Sequence, residues 1–583
     1  MNPNVFASYA LFSRLASFGV THAVISPGSR STPVAYVAHE LFDTTVVIDE
    51  RDAGFVALGI AESTGCIPVV ITTSGSAPTH LYPSIAEAFH SNVGMIVITA
   101  DRPHEVRGRG APQTIDQINM FSMSVRFFHD TLCPHDEDSD IYWHERADEL
   151  FSHASGVGSV AGPVHLNMGI REPLVPDGDE KQKYESQSVI HASGSPQPDV
   201  RHGVFGFSSS ATSERIFLSA IRDLIAGAQK GIVTIGRNSG LSPADMATLN
   251  EVVSWPVLAD ITSNVRCCEN TISSYDTVVR RGDAKQFLPD VVLQFGDPLT
   301  SKLFNEFLSP ATVVSLRSYD DHRNAYGNAS HFITLSEPSM CFDELRTINY
   351  QQTPQFTDEW REAHRQSIDV IAQTAVSASD SEPAFFLKLG KIFTECKDEI
   401  SVLVASSMPI RYAEWLWVRP AESVRVYSHR GANGIDGMIS STYGIAHGSQ
   451  VPTLCVVGDV AFAHDIGFLS HCAQLTKEKN ACVVFFVIDN GGGAIFRHLP
   501  QAGNATMADS YEEIMQTPPG IDIEALSRAC GAGYVTGSLE ECMKSVETIL
   551  HTQEKGTHVV RLTVDNDSGP EFMAQLQANL SSL

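Results

Sequence analysis

The run Cys482–Ile488, CVVFFVI, contains no polar residue, so neither an amphipathic helix nor a half-exposed strand accounts for it. A short, β-branched and aromatic stretch without alternation is buried on both faces, the condition of an interior strand in a parallel sheet. Parallel strands need crossover connections, so this run commits its surroundings to α/β architecture. A second such run closes on Gly458-Asp459 in VVGDVAFAHD, and the first closes on Asp489-Asn490 and three glycines in VIDNGGGAIF. Ligands of such sheets sit beyond the carboxyl ends of the strands, where Asp459 and Asn490 both fall. An Asp carboxylate, an Asn amide oxygen and the free carbonyl of Gly492 make a hard oxygen set, with room for phosphate oxygens and water around Mg²⁺. Each half alone also reads as a turn aspartate and a glycine loop.

The same alternation recurs along the chain, whose 583 residues are too many for one core. Residues 1–180 give THAVIS then PGSRS, TTVVID then Glu50 and a helix from about Asp52, CIPVVIT then TSGSA, and finally GMIVITADRP. The loops after these strands carry Ser29, Arg30, Glu50, Ser74, Arg102 and Gln113. Two arginines at strand ends of one sheet fit anion binding. Glu50 reads in two ways, as a carboxylate needing a partner and as a first-turn residue complementing a helix dipole. A linker is expected at about 173–205, rich in Pro, Gly, Ser, Asp and Gln. A central α/β domain over 205–350 follows, with strands at GIVTIG, PVLAD, VVLQFG and TVVSL. Its GRNSG turn lacks a GxGxxG fingerprint, and its loop DPLTSK ends on Lys302. A polar stretch at about 350–382 passes into a third domain, 355–583, with strands in EISVLVASS, VRVYSH, the two opening runs and HVVRLTV. Ser407, Arg411, Arg430 and Ile435 lie at or just beyond its strand ends. The fold class is therefore three doubly wound α/β domains with mostly parallel sheets.

A net charge of −28 argues against nucleic-acid and anionic-membrane partners, and sets the arginines at loop ends apart from an acidic background. The eleven cysteines form no CxxC pair, and Cys455 and Cys482 sit inside apolar runs as core residues of a reducing compartment. The N-terminus has no basic leader; Val5, Tyr9, Phe12 and Ala16 fall on one helical face. No run reaches membrane-span length. A cytoplasmic protein is expected.

With these loops in hand, PGSRSTP, DER-x-x-G, TSGSA, TADRP, GAPQTIDQ, SHRGANGIDG, VVGDVAF and DNGGGAIF occur in one order along the chain. The set resembles the thiamine-diphosphate enzymes, and within them the 2-succinyl-5-enolpyruvyl-6-hydroxy-3-cyclohexene-1-carboxylate synthase family of menaquinone biosynthesis. The resemblance implies pyrimidine-binding, central and diphosphate-binding domains. It also implies a homodimer or dimer of dimers with active sites at the subunit interface. The implied reaction decarboxylates 2-oxoglutarate and adds the resulting carbanion to isochorismate. By the same resemblance Asp459, Asn490 and Gly492 hold Mg²⁺ or Mn²⁺, and Ser74, Ser407 and Gly458 contact thiamine diphosphate. Glu50 bonds the cofactor's aminopyrimidine, and Ile435 holds the cofactor bent. Arg411 and Arg430 take the 2-oxoglutarate carboxylates; Ser29, Arg30, Arg102 and Lys302 take isochorismate. Gln113 lies near the reacting atoms, and Ile495-Phe496 form an apolar wall. Two departures are visible: Val460 replaces the usual glycine of the metal motif, and Leu303 replaces an arginine that some members carry after the lysine. Two other readings stand beside this one: a thiamine-diphosphate carboligase or decarboxylase of smaller oxo acids, and a non-catalytic protein of the same fold.

Overall fold

Every apolar run named above becomes a strand of one of three six-stranded sheets, and every strand pairing in them is parallel. These are seen in a computed structural model that describes residues 2–187 and 222–583, apart from 137, 158, 177, 179, 320, 322, 336, 351–353, 376–380, 500, 501 and 503. The first sheet comprises β1 (His22–Ile25), β2 (Asp43–Val46), β3 (Val69–Thr72), β4 (Met95–Asp101), β5 (Phe127–Thr131) and β6 (Pro163–Gly169). The second comprises β7 (Gly231–Ile235), β8 (Val257–Ala259), β9 (Thr271–Ile272), β10 (Val291–Phe295), β11 (Thr312–Arg317) and β12 (Ala329–Thr334). The third comprises β13 (Ile400–Val404), β14 (Val424–Tyr427), β15 (Thr453–Gly458), β16 (Cys482–Asp489), β17 (Gly533–Thr536) and β18 (Gly556–Thr563).

Strand order decides where a ligand can sit. The first sheet runs β2-β1-β3-β4-β6-β5 and the third β14-β13-β15-β16-β18-β17, the same order. In both, the chain leaves the first strand to one side and returns on the other, so the crevice opens between β1 and β3 and between β13 and β15. The loops at those points are PGSRS with TSGSA, and ASS with the Gly458-Asp459 turn. The second sheet runs β12-β11-β10-β7-β8-β9, with its reversal between β7 and β10, and there GRNSG meets DPLTSK: the Asp297 N–H donates to the Arg237 carbonyl at 2.8 Å.

By contact density the chain forms two compact units. One comprises Met1–Phe205, His429–Gln450 and Asp465–Ala481; the other comprises Gly206–Ser428, Val451–His464 and Cys482–Leu583. In the first unit the helix Glu50–Thr64 lies along the helix Met438–Ser449 with backbones nearly touching. A Cβ on Gly59 would fall 2.3 Å from the Ser441 carbonyl oxygen, and one on Gly444 would fall 2.2 Å from that of Val56. In the second unit the second and third sheets share a buried joint. Arg266 pairs with Glu414, both 1 % exposed, while its other nitrogens donate to the carbonyls of Ala259, Glu414 and Trp417. The joint satisfies a charge that would be expensive to bury alone.

Several expectations are corrected. The stretch 350–382 is not a polar passage, because Pro354–Ala375 is a helix whose Phe356, Trp360, Ala363, Ser367, Ile371 and Thr374 are buried at helical spacing. Within the expected linker, Glu180–Gln187 is helical, and 188–205 lies outside the described residues. Ala16 is exposed, and Leu15 takes its place in the core beside Val5, Tyr9 and Phe12. Glu50 does not end a strand: β2 stops at Val46, and Glu50 opens the helix that Asp49 caps. No disulfide joins the described cysteines, and Cys455 and Cys482 are buried as expected. No helix among the described residues is long and apolar enough to cross a membrane.

Candidate active site

In the second unit, β15 delivers Asp459 and β16 delivers Asn490 beyond adjacent, in-register strand ends. Asp459 is 1 % exposed; its Oδ1 accepts the Val460 N–H at 2.8 Å, and its carboxylate also accepts the Gly492 N–H. Its Oδ2 is buried with no hydrogen-bond partner among the described residues, and so is the Asn490 Oδ1. Burial, then the Asp489 carboxylate, push the Asp459 carboxyl up to about 7. Two orphaned oxygens of this kind cost free energy unless something meets them, and a divalent cation is the partner that would also restore Asp459 to its ionised form. Gly492 holds φ at +133°, and a Cβ there would fall 2.3 Å from the Gln516 carbonyl oxygen, so only glycine can make this turn. Nothing lies within 4 Å of a Cβ built on Gly458, which leaves open space beside the aspartate. The residues present therefore fit a metal-bound diphosphate.

Behind them sits a carboxyl that the sequence did not single out. Glu382 is buried at the start of the helix Glu382–Glu395, accepts from Asn490 Nδ2 at 3.4 Å, and has its pKa raised to about 8, by burial first and then, against the Asn490 bond, by Asp459. It orients the Asn490 amide so that the oxygen, not the nitrogen, faces away from it.

The second unit also holds a cavity of about 400 Å³ whose walls include Arg280, Lys302, Leu303, Arg411, Ile495 and His498. Three expected substrate residues, Lys302, Arg411 and Ile495, are thus brought together; Phe496 follows on the same turn, Ala494–His498. The Arg411 Nη1 donates to the Ser407 carbonyl, and Ser407 itself is held at φ +76°, a strained conformation for a residue with a Cβ. Arg280 was not anticipated. It reaches the cavity on a forked pair with Asp276 at 2.6 Å, its guanidinium over the Trp415 ring. Lys302 is largely exposed and rests on Glu306 at 3.5 Å.

The first unit gathers the other expected residues. Ser74 and Gln113 exchange bonds: Ser74 Oγ donates to the Gln113 carbonyl and Gln113 Nε2 to the Ser74 carbonyl, each at 3.1 Å. Arg30 donates to the Ile170 carbonyl at 3.0 Å, and Arg102 to that of Pro112 at 3.1 Å. Burial first, then the positive charge of Arg102, hold the Arg30 guanidinium below its ordinary pKa, so the two arginines are neighbours. Ser29 is exposed on the turn just before Arg30. Arg430 and Ile435 are half-buried on the RGANGIDG loop, which Glu87 fastens by accepting the N–H groups of Gly431 and Ala432, each at 2.7 Å. Glu50 is half-buried in the first turn of its helix. Two residues on, Asp52 is buried against Asp465, whose carboxylate caps the helix Met438–Ser449 through the N–H groups of Ile439 and Ser440. Burial, then Asp465, raise Asp52 to about 8.

Comparison with known proteins places this geometry. Residues 7–120 match the family described as thiamine pyrophosphate enzyme, N-terminal TPP binding domain; 215–333 match the middle domain of these enzymes; 418–562 match their C-terminal TPP binding domain. The class is a three-domain enzyme dependent on thiamine diphosphate. The chain is 31% identical to a 2-succinyl-5-enolpyruvyl-6-hydroxy-3-cyclohexene-1-carboxylate synthase of Bacillus velezensis, over 99% of this chain and 97% of the relative. It is 32% identical to that of Geobacillus kaustophilus, over 96% and 94%, and 31% identical to that of Lysinibacillus sphaericus, over 90% of each. The chain belongs to the 2-succinyl-5-enolpyruvyl-6-hydroxy-3-cyclohexene-1-carboxylate synthase family.

Proposed function

We propose that this enzyme decarboxylates 2-oxoglutarate and joins the four-carbon remainder to isochorismate, in menaquinone biosynthesis. The observation that carries the reading is the cavity of the second unit that Arg280, Lys302 and Arg411 line together with the carboxylates of Asp276, Glu306 and Glu414. The orphaned oxygens of Asp459 and Asn490 belong to the same unit. Both substrates are dianions, and guanidinium forks suit carboxylates better than point charges do. Arg280 supplies, from the second sheet's side, the charge missing at Leu303.

Asp459, Asn490 and the Gly492 carbonyl would hold Mg²⁺ or Mn²⁺ and through it a diphosphate; Gly458, Ser407 and Ser74 would line the cofactor. Thiamine diphosphate, when bound, supplies the carbanion-stabilising chemistry. Glu50 would hold a proton at the aminopyrimidine ring nitrogen, and Ile435, on its glycine turn, would pack against the cofactor. Arg411 and Arg430 grip 2-oxoglutarate. Ser29, Arg30, Arg102 and Lys302 grip isochorismate, Gln113 lies near the reacting atoms, and Ile495 with Phe496 excludes water from them.

The active assembly is a homodimer or dimer of dimers with the sites at the subunit interface. In support, Val46 and Ile48 are 47% and 73% exposed on the approach to Glu50, apolar surface that a second subunit would cover. A cytoplasmic location fits a biosynthetic role. The test is the purified chain with thiamine diphosphate, Mg²⁺, 2-oxoglutarate and isochorismate, followed by product mass. Release of CO₂ with no product of combined mass would favour a decarboxylase of smaller scope instead.

A further inference from the structure

Away from these residues, the first unit holds His22, Asp43 and His447 with one donor atom of each within 4.8 Å of the others. His22 and Asp43 are direct neighbours across the β1–β2 pair, and His447 comes from the last turn of the helix Met438–Ser449. His447 is 2 % exposed and, among the described residues, neither of its ring nitrogens has a hydrogen-bond partner. Its Nε2 points at Asp43 Oδ2 from 3.5 Å, and its ring lies flat on that of Tyr443. A buried imidazole with both nitrogens idle is uncommon in a satisfied core.

We propose that His22, Asp43 and His447 form a site for a zinc-class divalent ion, distinct from the hard-oxygen site at Asp459. Two imidazole nitrogens and one carboxylate select a borderline-soft ion over Mg²⁺. The surroundings are arranged as a ligand set requires. His22 Nδ1 is engaged by the Thr21 hydroxyl at 2.8 Å, which leaves Nε2 to bind. Asp43 holds the Lys479 ammonium at 2.7 Å on Oδ1, which leaves Oδ2 as a one-oxygen ligand with its second oxygen anchored. Burial lowers the pKa of His22 and takes that of His447 to about 4, so both rings are neutral donors at pH 7. For Asp43, burial acts upward, but the bond from the Lys479 ammonium helps to outweigh it and keep the carboxylate ionised. A tetrahedral ion about 2.1 Å from nitrogen needs donors about 3.4 Å apart, so the side chains close by up to about 1.4 Å around it. Asp43 is exposed and leaves the fourth position to water. The ion would fasten the segment His429–Gln450 to the edge of the first sheet.

The test uses the full-length chain, stripped with a chelator and returned to buffer with excess Mg²⁺ to fill any hard-oxygen site. Zn²⁺ is titrated calorimetrically, and Co²⁺ serves as a visible-absorption probe of a four-coordinate site. One equivalent per chain is expected, with a raised melting temperature. The affinity should fall at least tenfold in His447→Gln and in His22→Gln, the second chosen because a half-exposed strand residue tolerates exchange. Thiamine-diphosphate binding should be unchanged in His22→Gln. Absence of stoichiometric binding overturns the site. So does binding that survives both histidine changes, or that disappears only when the cysteines are alkylated.

Discussion

The carboxyl edge of the first sheet and that of the third are built on one strand order, yet they end in opposite chemistry. At the first edge, Arg30 and Arg102 already spend donors on the carbonyls of Ile170 and Pro112, and Ser74 and Gln113 satisfy each other. At the third edge, Asp459 Oδ2 and Asn490 Oδ1 are buried with no hydrogen-bond partner among the described residues. An edge of cations, whose Arg30 Nε is itself buried without a partner among the described residues, and an unfinished edge of oxygens are what one expects when the first positions a ligand's anionic groups and the second completes a metal's coordination. The loops differ, and the scaffold beneath them does not.

The largest effect should come from breaking the unfinished edge. Asp459→Ala removes the only formal charge among the three expected ligands, so cofactor-dependent thermal stabilisation should vanish while the cofactor-free fold melts as before. A ligand at a hundredfold over its Kd stabilises by about 2.7 kcal/mol, and all of that should be lost. Equal melting shifts with thiamine diphosphate and Mg²⁺ in variant and parent would refute the assignment. Glu50→Gln should bind the cofactor with the parental melting shift but lose about 10²–10⁴-fold in turnover, the size of a general acid–base contribution. Proton exchange at the thiazolium carbon, followed by NMR, is the direct check; an unchanged rate would exclude the role.

Smaller effects sharpen the division between the edges. Arg30→Ala should still release CO₂ from 2-oxoglutarate in the absence of isochorismate and show a raised KM for isochorismate. Arg411→Ala should impair CO₂ release itself. Each change should cost about 1.5–3 kcal/mol, or roughly ten- to a hundredfold in kcat/KM. The reverse pattern would exchange the two pockets. The smallest effect concerns Asp52, whose carboxyl titrates near 8 when folded and near 3.8 when unfolded. The folded protein binds the extra proton, so this group's contribution is full below about pH 4 and is lost as pH rises toward 8. Asp52→Asn should flatten that slope and raise the melting temperature at pH 8 by on the order of 2 °C. Melting curves across pH 5–8 that run parallel for both proteins would show that Asp52 is not the group involved.

What the sequence disclosed follows from which partners are local. Unbroken apolar runs such as Cys482–Ile488 declare themselves, and so do the loops that end them. β6 hid because His165 and Asn167 lie buried within it, each bonded across the sheet to the Thr99 hydroxyl, and so break the apolar pattern. The helix Pro354–Ala375 hid for the opposite reason: its exposed face is polar enough to mask a one-sided apolar stripe. Glu87, Glu382 and Asp52 on their helices, and Arg280 on the turn after Tyr275–Val278, are ordinary residues until the fold brings up a loop, an amide, a second carboxyl or a cavity from elsewhere in the chain. The motif at Lys302-Leu303 could flag a missing charge, and only the packing of the second unit could say that Arg280 stands nearby.

The first unit takes its last pieces from residues 429–450 and 465–481. A ribosome adding about 5–20 residues per second needs roughly ten seconds to most of a minute to synthesise the chain between Phe205 and His429. During that interval the glycine-notched face of the helix Glu50–Thr64, with Phe55 and Val56 on it, has been made and its covering helix has not. The nascent chain must therefore be kept from self-association for that long, and a gene fragment ending near residue 205 would encode a body with a permanently open side.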